Sequence, residues 1–252
     1  MLNITFTDTT SNLYFDLDPD EIGTVEGFEY PSVRGVIEDI SGPKSSLFIT
    51  SKFGRRPLSV IGLKRNQSCN ERVDMLGVFR QDGNLRLLEF TTLDGLMLRT
   101  EVLINKILYP YNKIKKAFLI DMVAPDWRFY SQIQKSTNSA AMNQTMVNAG
   151  NEITQPVFKI YGPFTSATIT NLTNSETFTI TETIVEDEYI EIDPVDETIM
   201  LVDGYGETSV FSSFTGDFIS LLPGTNLINF VPYGDDANTK LVTTYRDAYL
   251  GV

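Results

Sequence analysis

The sequence predicts a mainly β protein built from two domains. Three observations predict it. Phe and Tyr are plentiful, at 16 and 11 residues, and Thr and Ile recur; these residue types fit a pleated, half-buried surface. Short alternations of apolar and polar residues, the period of a strand, run along the chain between turn signals. The charge changes abruptly near the middle: residues 1–131 carry 17 acidic and 16 basic side chains, whereas residues 132–252 carry 16 and 4. Nearly all of the net charge of −13 therefore lies on the second half, which marks two domains with different surfaces. A length of 252 residues, 42% of them hydrophobic, gives each domain enough apolar material for a core.

The first domain is expected over 1–131. It opens with the alternations Leu2/Ile4/Phe6 and Leu13/Phe15/Leu17 and continues through Ser46–Ser51 and Leu58–Gly62. One segment changes period. After Asn70, a residue type suited to capping a helix N-terminus, Val73, Leu76 and Phe79 recur at helical spacing until Asp82-Gly83 stops them. Leu85–Phe90 and Leu96–Leu108 flank a turn at Asp94-Gly95, as a hairpin does, and Lys116–Met122 reads as a further strand. The polar stretch after Ser131 lacks strong periodicity, so residues 132–152 read as a linker or insertion.

The second domain, 153–252, reads almost entirely as strand. Val157–Tyr161, Ala167–Thr170, Thr177–Thr181, Glu188–Ile192, Thr198–Val202, Leu227–Val231 and Leu241–Tyr245 alternate or run apolar. Gly162-Pro163, Asn174-Ser175, Asp193-Pro194, Asp203-Gly204 and Pro223-Gly224 separate them, the last suiting a type II turn. Short strands at this spacing describe a β-sandwich.

The chemistry that the sequence allows is narrow. There is no histidine, which excludes Ser-His-Asp and Cys-His catalysis and any His-ligated metal. Cys69 is the one cysteine, so neither an internal disulfide nor a Cys-rich zinc site can form. No apolar run reaches the length of a membrane helix, and Met1–Thr5 does not open like a signal peptide, so folding in a reducing cytoplasm is expected. Phosphate loops, dinucleotide fingerprints and nucleophile elbows are absent.

Each remaining candidate has a plainer reading beside it. Asp16, Asp18 and Asp20 resemble the start of a calcium loop, but Glu21 and Gly27 stand where that loop needs Gly and Glu, so a solvated loop is expected. Glu182, Glu186, Asp187, Glu188, Glu191, Asp193, Asp196 and Glu197 form the most acidic stretch. Strand alternation sends Glu188 and Glu191 to opposite faces, which suits a charged strand edge better than a catalytic acid pair. Lys52, Arg55, Arg56, Lys64 and Arg65 form the densest basic group; the overall acidity opposes nucleic-acid binding, and a surface or subunit contact is expected.

Several segments, taken in order, resemble the distal tail protein (Dit) family of long-tailed bacteriophages. Gly54–Gly62 looks like the family's Gly-Arg-Arg strand, and Ala124–Tyr130 (Ala-Pro-Asp-Trp-Arg-Phe-Tyr) like its junction before the second domain. Pro156–Pro163, Leu222–Phe230 and Tyr245–Gly251 resemble strands of its C-terminal domain. The resemblance implies an N-terminal β-sandwich with one helix and a β-hairpin, followed by a galectin-like C-terminal β-sandwich. It further implies a noncatalytic virion protein without cofactor or metal. Six copies would close a hub ring between the tail tube and the tail-tip, fibre and receptor-binding proteins, and phage DNA would pass the channel without specific binding. Two other readings stay open: a carbohydrate-binding sandwich presenting Tyr189, Tyr205 and Tyr233, and a carboxylate-dependent hydrolase.

Overall fold

The computed structural model describes residues 3–29, 31, 33–39, 46–63, 76–80, 82–108, 117–139, 143–235 and 237–251. Most of these lie in antiparallel strands, and the chain divides into two compact units. Unit 1 comprises Met1–Gln132 with Leu250–Val252, and unit 2 comprises Ile133–Tyr249.

Unit 1 contains β1 (Asn3–Asp8), β2 (Leu13–Leu17), β3 (Ile22–Glu26), β4 (Val33–Asp39), β5 (Ser46–Phe53), β6 (Arg56–Leu63), β7 (Arg86–Thr91), β8 (Met97–Leu108), β9 (Ala117–Ala124) and β10 (Phe129–Ser131). Seven of them pair in the order β2-β1-β7-β8-β9-β6-β3. The twelve-residue β8 serves both halves of that order: Met97–Val102 pairs with β7, and Leu103–Leu108 with β9. A register shift between Ile104 and Lys106 separates the two stretches. Such a bulge bends a strand, and both halves of the order bury apolar side chains. Ile4, Phe6, Leu88 and Phe90 come from one half, and Leu58, Val60, Phe118 and Ile120 from the other; all are buried. β4 and β5 form a separate two-stranded hairpin.

The helical segment is only partly described. Residues 76–78 are helical, while Asn70 and Val73 lie outside the described residues. Of the residues expected on the apolar face, Phe79 is buried and Leu76 is half exposed, and Val78 is buried in its place. Phe79 sets this orientation by packing edge-on against Phe6 at 4.8 Å and Phe15 at 5.4 Å.

Unit 2 contains β11 (Lys135–Ser139), β12 (Asn143–Asn148), β13 (Val157–Tyr161), β14 (Ser166–Asn171), β15 (Thr177–Ile180), β16 (Tyr189–Asp193), β17 (Thr198–Asp203), β18 (Gly206–Ser209), β19 (Phe214–Gly216), β20 (Gly224–Tyr233) and β21 (Lys240–Tyr245). They form a six-stranded sheet, β11-β21-β13-β16-β17-β18, and a five-stranded sheet, β12-β20-β14-β15-β19. Inward residues of both sheets, among them Phe158, Ile160, Ile190 and Leu241 from the first and Ile169, Phe178, Ile228 and Phe230 from the second, make one buried core. Phe158 and Phe178 meet across it at 5.8 Å.

Residues 132–152, expected as a linker or insertion, contain two strands of unit 2. β11 pairs with β21 over five residues and β12 with β20 over six, so this stretch supplies one edge strand to each sheet. Its inward positions are Gln144, Met146 and Asn148, two of them polar. Gln144 is held by Thr137 Oγ1 at 2.9 Å, and Asn148 donates to the Glu152 carbonyl at 2.7 Å. Polar inward side chains with internal partners hide the usual alternation.

Candidate functional site

The acidic stretch does not assemble into a site. Glu182 accepts from the Ser213 hydroxyl at 2.6 Å, and Glu186 from Asn238 at 2.8 Å. Glu188 caps the Val185 N–H, Asp193 accepts from Val195 N, and Glu191 pairs with Lys159 at 2.6 Å. Asp187 and Glu197 occupy turn positions with φ of 68° and 52°. Asp196 donates its N–H to Asp193 within the same turn. Glu188 and Asp193 thus shape turns, while Glu182, Glu186 and Glu191 each hold a side chain from another part of the chain. Asp16 points outward from β2 opposite Thr5, and Asp18 and Asp20 are exposed beside it. Among the described residues, no group of three or more metal-ligating side chains comes together.

The basic group divides. Lys64, Arg65 and the Lys52 side chain lie outside the described residues, as does Cys69, and Arg55 is exposed. Arg56, expected at the surface, is completely buried. The cause is the register of β6, which alternates inward at Arg56, Leu58, Val60 and Gly62. The guanidinium stacks on Phe129 at 4.0 Å and donates through Nη2 to the Leu250 carbonyl. Its Nε and Nη1 are buried without a hydrogen-bond partner. Burial pushes the group down to about 10, with the Asp126 charge opposing that shift.

Two further polar knots organise unit 1. Asp126 receives Arg128 Nε and Nη2, both at 3.0 Å, and the Tyr130 hydroxyl at 2.6 Å. Burial, with the Asp126 charge second, raises the Tyr130 phenol and keeps it protonated. Arg86, which carries no motif in the sequence, is buried and joins Asp82 at 2.9 Å while donating to the carbonyls of Val78, Asn84, Leu85 and Arg80. This arginine gathers the segment after the helix onto β7.

The exposed apolar and aromatic side chains lie largely on sheet faces and turns. In unit 1 aliphatic side chains gather on the outward face where β6, β9 and the end of β8 lie side by side. Ile61, Leu119 and Leu108 stand side by side, and Leu63 with Ala117 lies next to them. Ile61, Leu63 and Leu108 are 41, 50 and 45% exposed, so this is an open apolar patch. A polar band of Glu26, Ser59, Asp121 and Lys106 crosses it.

In unit 2 the three tyrosines named from the sequence separate. Tyr189 is partly buried against Tyr161 at 5.0 Å, with Lys159 and Lys240 over the two rings. Tyr205 is fully exposed in the turn between β17 and β18, and Tyr233 is exposed at the end of β20.

The two-unit antiparallel β fold is shared with solved phage tail proteins. The Dit protein of phage SPP1, a hub of the adsorption apparatus in phages infecting Gram-positive bacteria, has this fold: TM-score 0.68 at 12% identity over 97% of this chain and 98% of that chain. A chain of the phage P2 baseplate in its activated conformation also has it, with TM-score 0.53 at 12% identity over 98% of both chains. By sequence, residues 149–249 match the family model of the siphovirus-type tail component, C-terminal domain. No curated protein matches the chain. The resemblance read from the sequence motifs therefore holds.

Proposed function

We propose that the protein is a noncatalytic structural hub of a long-tailed phage tail, a virion protein that works through its interfaces. The observation that carries this reading is the extent of the fold likeness, which takes in 97% of the chain and so both units. Unit 2 adds its own sequence match to a tail component domain.

In this reading unit 1 closes a ring of six copies by repeated head-to-tail contacts, the arrangement that identical subunits use when a rotation closes. The exposed Ile61, Leu63 and Leu108, with half-buried Leu119 between them, supply apolar area for such a contact, and the near-neutral charge of residues 1–131 lets copies approach without strong repulsion. Unit 2, which holds most of the negative charge, faces outward, where tail-tip, fibre and receptor-binding proteins attach. The ring continues the tail tube and leaves DNA a passage without specific binding. Domain limits of 1–131 and 153–252 serve this division of labour, with residues 132–152 built into the outer unit.

Electron microscopy of the negatively stained protein tests the proposal. Rings of six-fold symmetry with an open centre are expected. Uniform single particles, both alone and after mixing with tail-tube protein, would overturn it.

A further inference from the structure

Unit 2 contains one long run of single-signed charge. Residues 160–239, 80 in all, carry 14 acidic side chains and no lysine or arginine. A soluble surface ordinarily intersperses the two signs. The four basic residues of the second half, Lys135, Lys159, Lys240 and Arg246, all lie outside the run.

Inside this run a row of aromatic rings opens to solvent. The chain leaves β18, the last strand of the six-stranded sheet, and enters β19, the last of the five-stranded one, through a single 3-10 turn. That turn is Phe211–Ser213, and none of its residues is buried. Among the described residues, β18 and β19 each pair on one side only. Phe211 is 50% exposed and lies 6.1 Å from Phe214, which stacks on Phe218 at 4.9 Å. Phe214 and Phe218, with Leu201 of β17, are partly buried against the core. The row thus leads from the core to solvent along the side of the sandwich where both sheets end. Two acids flank it. Glu182 accepts from the Ser213 hydroxyl at 2.6 Å, and exposed Asp217 immediately precedes Phe218.

We infer that this edge of unit 2 is the docking site for a basic segment of another protein, whose arginines lie over the Phe row and reach Glu182 and Asp217. The inference rests on the reading of unit 2 as the partner-bearing half of a tail hub, and it names the chemistry of the partner. A guanidinium is drawn to both features at once, to ring faces by cation–π contact and to carboxylates by paired hydrogen bonds. Unit 1 shows the first of these in this chain, where Arg56 stacks on Phe129 at 4.0 Å. Protein hot spots draw on aromatic rings and Arg in the same way. Charge argues against other occupants. A stretch with 14 acids and no cation repels nucleic acid and anionic lipid, and it steers a basic protein towards it. A second copy fits no better: its residues 132–252 carry the same acidic excess, and its residues 1–131 balance 17 acids against 16 bases.

Fluorescence anisotropy of the full chain with labelled short peptides, alternating Arg-Leu, Ser-Leu or Glu-Leu, tests it. The Arg-Leu peptide should bind, and the other two should not. Phe211→Ser leaves the charge unchanged and should weaken binding about tenfold, the scale of one hot-spot residue. Glu182→Gln should weaken it several-fold. Glu191→Gln removes the same charge beside Lys159 on the other sheet and should leave it unchanged. The comparison of these two decides even where Phe211→Ser lowers stability. Equal affinity for the Arg-Leu and Ser-Leu peptides overturns the inference. So does Arg-Leu binding that survives Phe211→Ser, or that falls equally with Glu182→Gln and Glu191→Gln, since charge alone would then hold it. A lower sedimentation mass for Phe211→Ser would put a second copy on the row and overturn it too. Rings without peptide binding sink this site and leave the hub reading intact; binding without rings does the reverse.

Discussion

The guanidinium of Arg56 donates to the main-chain carbonyl of Leu250, a residue 194 positions away. The chain's last residues, Leu250–Val252, thereby belong to unit 1, although unit 2 lies between them and the rest of it in sequence. Deleting 250–252 leaves a buried cation without its acceptor, and we expect a loss of about 3 kcal/mol in urea unfolding. Arg56→Met removes the charge together with its desolvation cost, so the full-length variant should differ by less than about 1 kcal/mol. Combining the two should recover most of the deletion's loss. An Arg56→Met penalty as large as the deletion's would contradict this account.

Arg86 gives unit 1 a dependence on acid. The Asp8 carboxyl is held below its usual range first by the Ser11 hydroxyl, with Arg86 adding to it. Asp82 is held low first by the Asn84 N–H and then by Arg86. A carboxyl depressed in the folded state contributes stability above its unfolded value, near pH 4, and loses it as pH falls through the folded one. Urea midpoints should therefore fall below about pH 4, and Asp82→Asn should flatten that slope. Arg86→Met should cost about 3 kcal/mol at neutral pH by orphaning its buried partners.

Asp247 ties β11 and β12 into unit 2, accepting from Lys135 Nζ at 2.7 Å and from Ala149 N at 2.9 Å. Asp247→Ala should cost about 2 kcal/mol. Amide exchange should rise first in 135–149 and leave β13 and β16 protected. Uniform loosening would show that these edge strands are not separately held.

How far the sequence discloses this fold depends on what each strand turns inward. β13, β16 and β21 bury Phe158, Ile160, Ile190, Ile192 and Leu241 in clean alternation, so their limits are legible to within a residue or two. Gly224, at φ +94°, adopts the conformation that the Pro223-Gly224 turn requires. β11 and β12 are not legible, because Gln144 and Asn148 occupy inward positions that a period-two reading assigns to apolar residues. Arg56 was in phase with Leu58 and Val60, yet its charge suggested the surface. Arg86 depends on carbonyls supplied by a turn, which no motif announces. The candidate surfaces were harder still, since a docking face is made of outward residues from strands far apart in sequence.

The aliphatic patch of unit 1 yields a prediction of its own. Leu119→Glu, placed between Ile61 and Leu108, introduces a charge where copies are proposed to meet. Burying an unpaired carboxylate costs several kcal/mol, on the order of 3 or more, so the variant should dissociate while keeping a β-type circular dichroism spectrum. Thr179→Glu, on the outward face of unit 2, should leave assembly intact.

Sedimentation velocity of the purified full chain, measured over a range of concentrations, tests the central claim most directly. Six chains of 28.3 kDa should sediment together at about 170 kDa, and Leu119→Glu should reduce that species to single chains. A wild-type protein that stays at 28.3 kDa at every concentration would contradict the account.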